Sequence, residues 1–102
     1  MKVIITEPAR KHLRSVFDFY SQYIPKKKNK ELLYNVLIKV RSLENMASRG
    51  GIETNLLDAP YEYRYLLEGN CKILYRIEND VVLVTDFFDV RQEPSKLITR
   101  QS

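Results

Sequence analysis

The sequence is poor in the residues that build disulfides, metal sites and membrane spans. Its 102 residues include one cysteine (Cys71), one histidine (His12), three glycines and no tryptophan. One cysteine cannot form an intramolecular disulfide, and one His with one Cys cannot complete an ordinary four-ligand zinc site. No apolar run approaches the roughly 20 residues of a membrane-spanning helix, and the apolar run after Met1 is too short for a signal peptide. We therefore expect a reduced, cytoplasmic protein with no membrane segment, no metal and no cofactor.

The chain carries a modest positive charge. Lys and Arg number 17 against 13 Asp and Glu, which gives a net charge of +4 and a pI near 9.2. This surplus permits two classes of partner, nucleic acid or an acidic protein, and does not choose between them. The length predicts one domain, residues 1–102, with a small core.

The first half of the sequence predicts a short strand and two helices. Residues 3–5 form a β-branched run that is typical of a strand. Thr6 can cap a helix and Pro8 is tolerated in its first turn. Apolar residues at helical spacing then continue as far as Pro25, which stops the helix at or near the preceding residue. A second helix is predicted over residues 29–47, so the two helices should form an antiparallel hairpin.

Four lysines crowd the tip of this predicted hairpin: Lys26, Lys27, Lys28 and Lys30. Cations near a helix N-terminus oppose the helix dipole by a few tenths of a kcal/mol each, roughly. Two interpretations stay open. The tip is either a solvated surface that tolerates this cost, or a surface that meets phosphate or an acidic partner.

The second half predicts a three-stranded antiparallel meander. Three strand-like runs occupy residues 61–68, 71–78 and 81–88. The first two runs are joined by Gly69-Asn70, which suits a type II′ turn, and the last two by Asn79-Asp80, which suits type I′. An N-terminal strand, a helix hairpin and a meander, in that order, define an α+β fold.

Two-residue turns would also fix which side chains share a face of the sheet. Glu68 would lie opposite Cys71, and Glu78 opposite Val81. The expected core face carries Leu66, Cys71, Ile73, Tyr75, Ile77, Val82, Val84 and Phe88, with Arg64 near Tyr75. The opposite face carries Tyr61, Tyr63, Tyr65, Leu67, Lys72, Leu74, Arg76, Leu83, Thr85 and Phe87. So much Tyr and Leu on a wet face favours a binding surface, and a C-terminal segment such as Leu97-Ile98 folding over it is the alternative.

No familiar catalytic motif is present. The chain has neither a P-loop nor a GxGxxG sequence. His12 lies beside the apolar positions of the first helix and is expected to be either partly buried packing or solvated surface rather than a general base. Cys71 is expected to lie in the sheet core rather than to react. Paired carboxylates among Asp86, Asp89 and Glu93 have no spacing that fixes a catalytic geometry.

Cations beside tyrosines are the chemical feature that remains. Arg64, Lys72, Arg76 and Arg91 lie on or next to the meander. Guanidinium groups suit phosphate, and tyrosines between them can stack on bases. Cleavage of RNA by 2′-hydroxyl attack also requires a general base and a general acid, which the sequence does not make evident.

The segment YRYLLEGNCKILYRI followed by FFDVRQEPSKL resembles the RelE/ParE family of toxins from bacterial type II toxin–antitoxin systems. Family signatures have the form "YR…GNYKILYRI…DTRQNP", and the similarity extends over nearly the whole chain. The resemblance implies a RelE/ParE toxin-like fold and a plasmid-stabilising toxin that arrests growth unless a small cognate antitoxin neutralises it.

Two activities are implied by this resemblance. RelE-like members cut mRNA on the ribosome, and ParE-like members poison DNA gyrase. In a ribonuclease, Lys72 and Arg91 would be the catalytic cations, but the tail after residue 96 has neither the Tyr nor the His that such members often carry. Gyrase inhibition is therefore the favoured expectation. A ribosome-dependent mRNA endonuclease and an inactive protein that only binds its antitoxin are the alternatives.

The resemblance also implies partner-binding residues, since family antitoxins often cover the open face of the sheet. The expected antitoxin-binding residues are Leu67, Leu74, Leu83 and Phe87. The expected contacts to the target or to its phosphates are Arg64, Arg76, Tyr63 and Tyr65.

Overall fold

The protein consists of a mixed five-stranded sheet with helices packed on both faces. The computed structural model describes residues 1–101. Ser102, the last residue of the predicted domain, lies outside the described residues. In chain order the elements are β1 (Lys2–Ile5), α1 (Glu7–Tyr20), α2 (Lys26–Ser42), β2 (Gly51–Ile52), β3 (Arg64–Glu68), β4 (Cys71–Glu78), β5 (Val81–Asp89) and α3 (Pro94–Gln101). Short 3₁₀ turns at Ala47–Arg49 and Thr54–Leu56 flank β2.

The strand order of the sheet is β1-β5-β4-β3-β2. β1 runs parallel to β5, and the other neighbouring strands are antiparallel. The predicted α+β architecture of strand, helix hairpin and meander is confirmed. The sequence did not predict the two-residue strand β2, which lies at the edge of the sheet beside β3.

Helix α1 begins where the sequence predicts it. Oγ1 of Thr6 accepts a hydrogen bond from the backbone N–H of Ala9 at 3.3 Å. The helix ends at Tyr20, four residues before the predicted end, and the next residues turn the chain. The side-chain amide of Asn29 donates to the carbonyl oxygen of Phe17 at 3.1 Å. A residue at the start of α2 thus provides a hydrogen bond to one of the last carbonyl groups of α1.

Helix α2 begins at Lys26, three residues before its predicted start. Pro25 precedes it with φ −57° and ψ 146°. This extended conformation suits the residue before a helix, so α2 can begin directly after the proline. The four lysines therefore occupy the first turns of α2 rather than a loop, and all four are exposed. α2 ends at Ser42, five residues earlier than predicted, where the Ser42 hydroxyl donates to the carbonyl of Lys39 at 2.6 Å.

Both meander turns have the predicted geometry. Asn79 and Asp80 have φ values of 51° and 62°, as the two central residues of a type I′ turn require. Gly69 has φ 56° while Asn70 does not have a positive φ, which agrees with type II′. The predicted pairs next to the turns, Glu68 with Cys71 and Glu78 with Val81, are confirmed.

A β-bulge in β5 overturns part of the predicted face assignment. Leu74 pairs with Asp86, but the next residue, Tyr75, pairs with Val84, so Thr85 has no partner on β4. One extra residue reverses the faces of all later side chains in the strand. Phe87, predicted on the open face, packs in the core beneath the helices, and Phe88, predicted in that core, lies on the opposite face.

The two faces of the sheet carry separate apolar clusters. The first core lies between the sheet and the α1–α2 hairpin and includes Ala9, Val16, Phe17, Tyr20, Val36, Val40, Leu43, Leu66, Cys71, Ile73, Tyr75, Val82, Val84 and Phe87. The second core lies on the opposite face and consists of Leu56, Tyr63, Leu74, Phe88 and Leu97. Of the predicted core face, Ile77 at the end of β4 remains 40% exposed.

Helix α3 covers part of the second face of the sheet, which is the alternative that the sequence analysis left open for the C-terminal segment. Leu97 of α3 is 1% exposed in the second core, whereas the adjacent Ile98 is 46% exposed. The C-terminal segment thus covers part of the second face through Leu97, and Tyr61 and Leu67, each 44% exposed, lie outside that cover.

Candidate functional site

Arg91 is held by a buried carboxylate at the end of β5. Its Nε and Nη2 donate to Oδ1 and Oδ2 of Asp89 at 3.0 and 2.6 Å. The Tyr20 hydroxyl of α1 donates to the same Oδ2 at 2.7 Å. The hydrogen bond from Arg91 lowers the pKa of Asp89 to about 2, although burial acts in the opposite direction. The Arg91 side chain is 60% exposed, so a positive group with a fixed position faces solvent.

Asp86 joins three elements of the fold. Nδ1 of His12 in α1 donates to Oδ1 of Asp86 at 2.9 Å, and Nη1 of Arg100 in α3 donates to the same oxygen at 3.1 Å. Nε2 of Gln101 donates to Oδ2 at 3.2 Å. Asp86 is fully buried, and burial raises its pKa while Arg100 and His12 act to lower it. This carboxylate therefore attaches α3 to both the sheet and α1.

These two carboxylate clusters border a cavity of about 820 Å³, which lies between α1, the β3–β4 turn and α3. Its apolar lining comes from the helix hairpin: Val16, Phe19, Tyr20, Tyr23, Ile24 and Leu32. Its polar lining comes mainly from the end of β5 and from α3: Asn70, Asp89, Arg91, Gln92, Lys96 and Arg100. Its volume lies in the range of small-ligand sites, and a mostly apolar lining with a few polar groups is typical of them.

Lys72, the predicted catalytic cation of β4, is paired with a carboxylate that the sequence did not single out. Its Nζ donates to Oε1 of Glu53, a residue that is 2% exposed. The same Nζ lies 4.6 Å from the ring centroid of Tyr65. Since only 14% of the Lys72 side chain is exposed, its charge is neutralised locally and is largely withdrawn from solvent.

Arg76 and two tyrosines form a cluster on the second face. The Arg76 guanidinium carbon lies 3.8 Å from the ring centroid of Tyr61, and Nη1 donates to the Tyr63 hydroxyl at 3.0 Å. Nε of Arg76 donates to Oε2 of Glu78 at 3.2 Å. Tyr63 is 3% exposed, so only Tyr61 and part of Arg76 present this cluster to a partner.

Arg64 is separate from the other predicted contact residues. Its Nη1 donates to the carbonyl oxygens of Ser48 and Gly50 at 3.1 and 3.0 Å, and its Nη2 lies 3.1 Å from Oε1 of Glu62. Arg64 pairs with Tyr75, whose side chain belongs to the first core. The predicted group of Arg64, Arg76, Tyr63 and Tyr65 is therefore divided between the two faces of the sheet.

The predicted antitoxin-binding face is not continuous. Leu74 is fully buried in the second core, which α3 helps to cover. Phe87 is fully buried in the first core because the bulge reverses its direction. Leu67 is 44% exposed and Leu83 is half-buried, so only these two of the four predicted residues reach solvent.

Sequence reasoning considered Asp86 and Asp89 only as possible paired carboxylates, and it did not predict that they are buried and bonded to cations. Asp86 and Asp89 lie in the run Val-Thr-Asp-Phe-Phe-Asp of an apolar strand. A carboxylate in such a strand is seldom buried without a paired group, and this is the signal that points to a partner. Glu53 gives no such signal, because it lies in an irregular loop after β2.

Cys71 is a core residue, as predicted. Its thiol is fully buried, and burial raises its pKa to about 12, which keeps it protonated and unreactive. Within residues 1–101, no three His, Cys, Asp or Glu side chains are grouped closely enough to hold a metal ion. In the same range, no helix has both the length and the hydropathy to cross a membrane.

A helix hairpin on one face of a meander sheet, closed by a parallel N-terminal strand, is the RelE/ParE-like toxin fold. A solved structure with this fold comes from the chromosomal ParDE toxin–antitoxin system of P. aeruginosa. It superposes with a TM-score of 0.72 at 18% sequence identity and covers 88% of this chain and 96% of that chain.

The family can be stated more narrowly. Residues 3–94 match the family described as the ParE toxin of type II toxin–antitoxin systems, parDE. The chain therefore belongs to the ParE toxin family, whose members are paired with a ParD antitoxin and inhibit gyrase. No curated protein sequence is significantly similar to it.

Proposed function

We propose that this chain arrests bacterial growth by inhibiting DNA gyrase and that its cognate ParD antitoxin relieves the arrest. Membership of the ParE toxin family supports the toxin class and the antitoxin partner. The choice of gyrase over ribosome-bound mRNA is supported by one geometric observation. Lys72 and Arg91, the two cations that a ribonuclease would use, are engaged by different carboxylates on opposite sides of the sheet.

The separation of these cations follows from their contacts. Lys72 bonds Glu53 and lies over Tyr65 on the second face. Arg91 bonds Asp89, whose other partner, Tyr20, belongs to the first core under the helices. Charge stabilisation of one transition state requires both cations to point at the same reacting phosphate, and these contacts direct them to different places.

Proton transfer is the second requirement for RNA cleavage, and the surroundings of Lys72 do not favour it. The carboxylate bonded to it, Glu53, already forms an ion pair with Lys72 and is therefore not available as a general base. The only histidine of the sequence, His12, is hydrogen-bonded to Asp86 at the junction of α1, β5 and α3. A general base and a general acid must both lie within hydrogen-bond reach of the substrate, and the groups in contact with Lys72 are the already paired Glu53 and the ring of Tyr65.

The proposal places the protein in the cytoplasm, where gyrase and its DNA are found. Of the predicted antitoxin contacts we retain Leu67 and Leu83, which keep accessible surface on the second face. Leu67→Asp should weaken antitoxin binding, because a carboxylate would replace an apolar contact. Leu57→Asp is the matched control, since Leu57 is 67% exposed and lies in the loop before β3. Equal antitoxin affinity for both variants would remove Leu67 from the interface.

Induced expression in a bacterial host, with mapping of mRNA 5′ ends, tests the choice of target. We expect growth arrest without codon-phased cuts inside translated messages. Codon-phased cuts that appear on induction would instead establish the ribosome-dependent endonuclease. Unchanged growth, with the antitoxin still bound in vitro, would favour the inactive toxin-fold protein.

A further inference from the structure

The cavity between α1, the β3–β4 turn and α3 has no role in the proposed inhibition of gyrase. It combines an aromatic lining with cations whose positions are fixed, and the two parts come from different elements of the fold. We infer that this cavity binds a nucleoside phosphate, with the base against the aromatic residues at and just after the end of α1 and the phosphate against the cations of α3 and the segment before it.

The aromatic part can hold a flat apolar ring. Phe19 lies near the end of α1 and Tyr23 in the turn after it, with ring centroids 5.0 Å from each other, and Phe19 and Tyr20 have centroids 6.3 Å apart. Phe19 is 47% exposed and Tyr23 is 70% exposed, so both rings are accessible to a ligand. Stacking on such rings accepts any base, because every base has a π face.

The cationic part is built to meet an anion. Arg91 uses Nε and Nη2 to bond Asp89, so Nη1 takes no part in that pairing. Arg100 bonds Asp86 through Nη1, so its Nη2 and Nε take no part in that pairing. Lys96 is exposed at the cavity lining. Two guanidinium groups held by buried carboxylates lose little entropy when they bind phosphate, and their planar forks match its oxygens.

Neutral hydrogen-bonding groups complete the lining. The side-chain amides of Asn70 and Gln92 belong to the cavity, and each offers both a donor and an acceptor to the edge of a base or to ribose. The lining contains three cations, Arg91, Lys96 and Arg100; Asp89 is paired with Arg91 and the buried Asp86 with Arg100, which leaves a surplus of one positive charge among these groups. An anion is therefore favoured over a cation or a neutral ligand.

A nucleotide would use the cations together with the two other kinds of group in the lining. The aromatic side chains of Phe19 and Tyr23 are adjacent and exposed, and the amides of Asn70 and Gln92 add neutral polar groups beside the cations. Aromatic rings, amides and guanidinium groups together are the means by which proteins hold a nucleotide. The same chemistry can come from a free nucleotide or from the terminal nucleotide of a nucleic acid strand.

Calorimetric titration of the full chain with AMP, ATP, adenosine and inorganic phosphate tests this inference. We expect AMP and ATP to bind saturably, and each to bind more tightly than adenosine or phosphate alone. Tyr23→Ala, which removes an aromatic ring, and Lys96→Glu, which reverses a cation, should each weaken AMP binding about tenfold. Tyr34→Ala and Lys28→Glu are matched controls on α2 outside the cavity lining, and they should change it less than about twofold.

The source of the nucleotide is resolved by a second titration with a 5′-phosphorylated oligonucleotide. If the oligonucleotide binds more tightly than AMP and the cavity variants weaken it, the ligand is a strand terminus. If AMP binds as tightly as the oligonucleotide, the ligand is a free nucleotide. Absence of saturable binding by every nucleotide at millimolar concentration overturns the inference. Equal losses in the cavity and control variants overturn it as well. Thermal melting of each variant excludes misfolding as the cause.

Discussion

Arg100, the penultimate described residue, donates to the fully buried carboxylate of Asp86 at 3.1 Å. The same carboxylate accepts from His12 of α1, so a single side chain of β5 binds both flanking helices. This contact secures α3 over the second core, where Leu97 is buried.

Asp86→Asn should destabilise the protein by about 1–3 kcal/mol, because the buried amide cannot accept bonds as strongly as the carboxylate and leaves Arg100 partly unpaired. Urea unfolding at pH 7 measures the change. Glu62→Gln, at an exposed carboxylate next to Arg64, should change stability by less than about 0.5 kcal/mol. An Asp86→Asn variant as stable as the wild type would show that this contact does not secure α3.

Because of the bulge at Thr85, truncation should affect stability very differently at two residues that the sequence placed on the same face of the sheet. Phe87→Ala should cost about 3–5 kcal/mol, because the side chain is fully buried in the first core. Leu67→Ala should cost less than about 1 kcal/mol, since Leu67 is 44% exposed. Chemical denaturation of both variants measures the difference. Similar losses of stability in the two variants would contradict the bulge and favour a regular pairing of β4 with β5.

Sequence patterns predicted the local features of this fold well. Thr6 marked the start of α1, and the two turns gave the register of Glu68 with Cys71 and of Glu78 with Val81. The bulge could not be predicted, because Thr85 resembles any other strand residue and the extra position is visible only from its pairing with β4. The faces of Phe87 and Phe88 were assigned wrongly for that reason alone.

The site was predicted less completely than the fold. The sequence identified the cations Lys72 and Arg91, but not the carboxylates that bind them. Glu53 precedes Lys72 by 19 residues, and their contact depends on how the loop after β2 returns to the sheet. Long-range pairs of this kind have no local pattern, so the separation of the two cations could be seen only in three dimensions.

Stability at low pH should depend on Asp89. The folded protein holds the pKa of Asp89 at about 2, below its ordinary value near 4, so the carboxylate contributes stability above about pH 4. That contribution should fall as the pH decreases from about 4 to about 2. Asp86 should change stability in the opposite direction as the pH falls, because burial raises its pKa in the folded state.

Comparison of the wild type with Asp89→Asn separates these two groups. The difference in unfolding free energy between them should be largest near neutral pH and should shrink below about pH 4. Thermal or urea unfolding at several pH values from 2 to 7 provides the data. A difference that stays constant across this range would contradict the assigned role of Asp89.

Removal of the Lys72–Glu53 pair should leave toxicity intact. The double substitution Lys72→Met with Glu53→Gln removes both charges, and it avoids leaving one buried charge without a partner. Because the proposed mechanism does not use Lys72 in catalysis, induced expression of the double variant should arrest growth as the wild type does. Loss of arrest, with a normal melting temperature and normal antitoxin binding, would favour the ribonuclease instead.

Inhibition of purified gyrase is the most direct test of the proposed function. The toxin, added to gyrase, relaxed plasmid and ATP, should inhibit supercoiling in a dose-dependent way, and prior addition of the ParD antitoxin should restore it. Full supercoiling activity at saturating toxin, from a preparation that still binds its antitoxin and arrests growth when expressed, would contradict the proposed function.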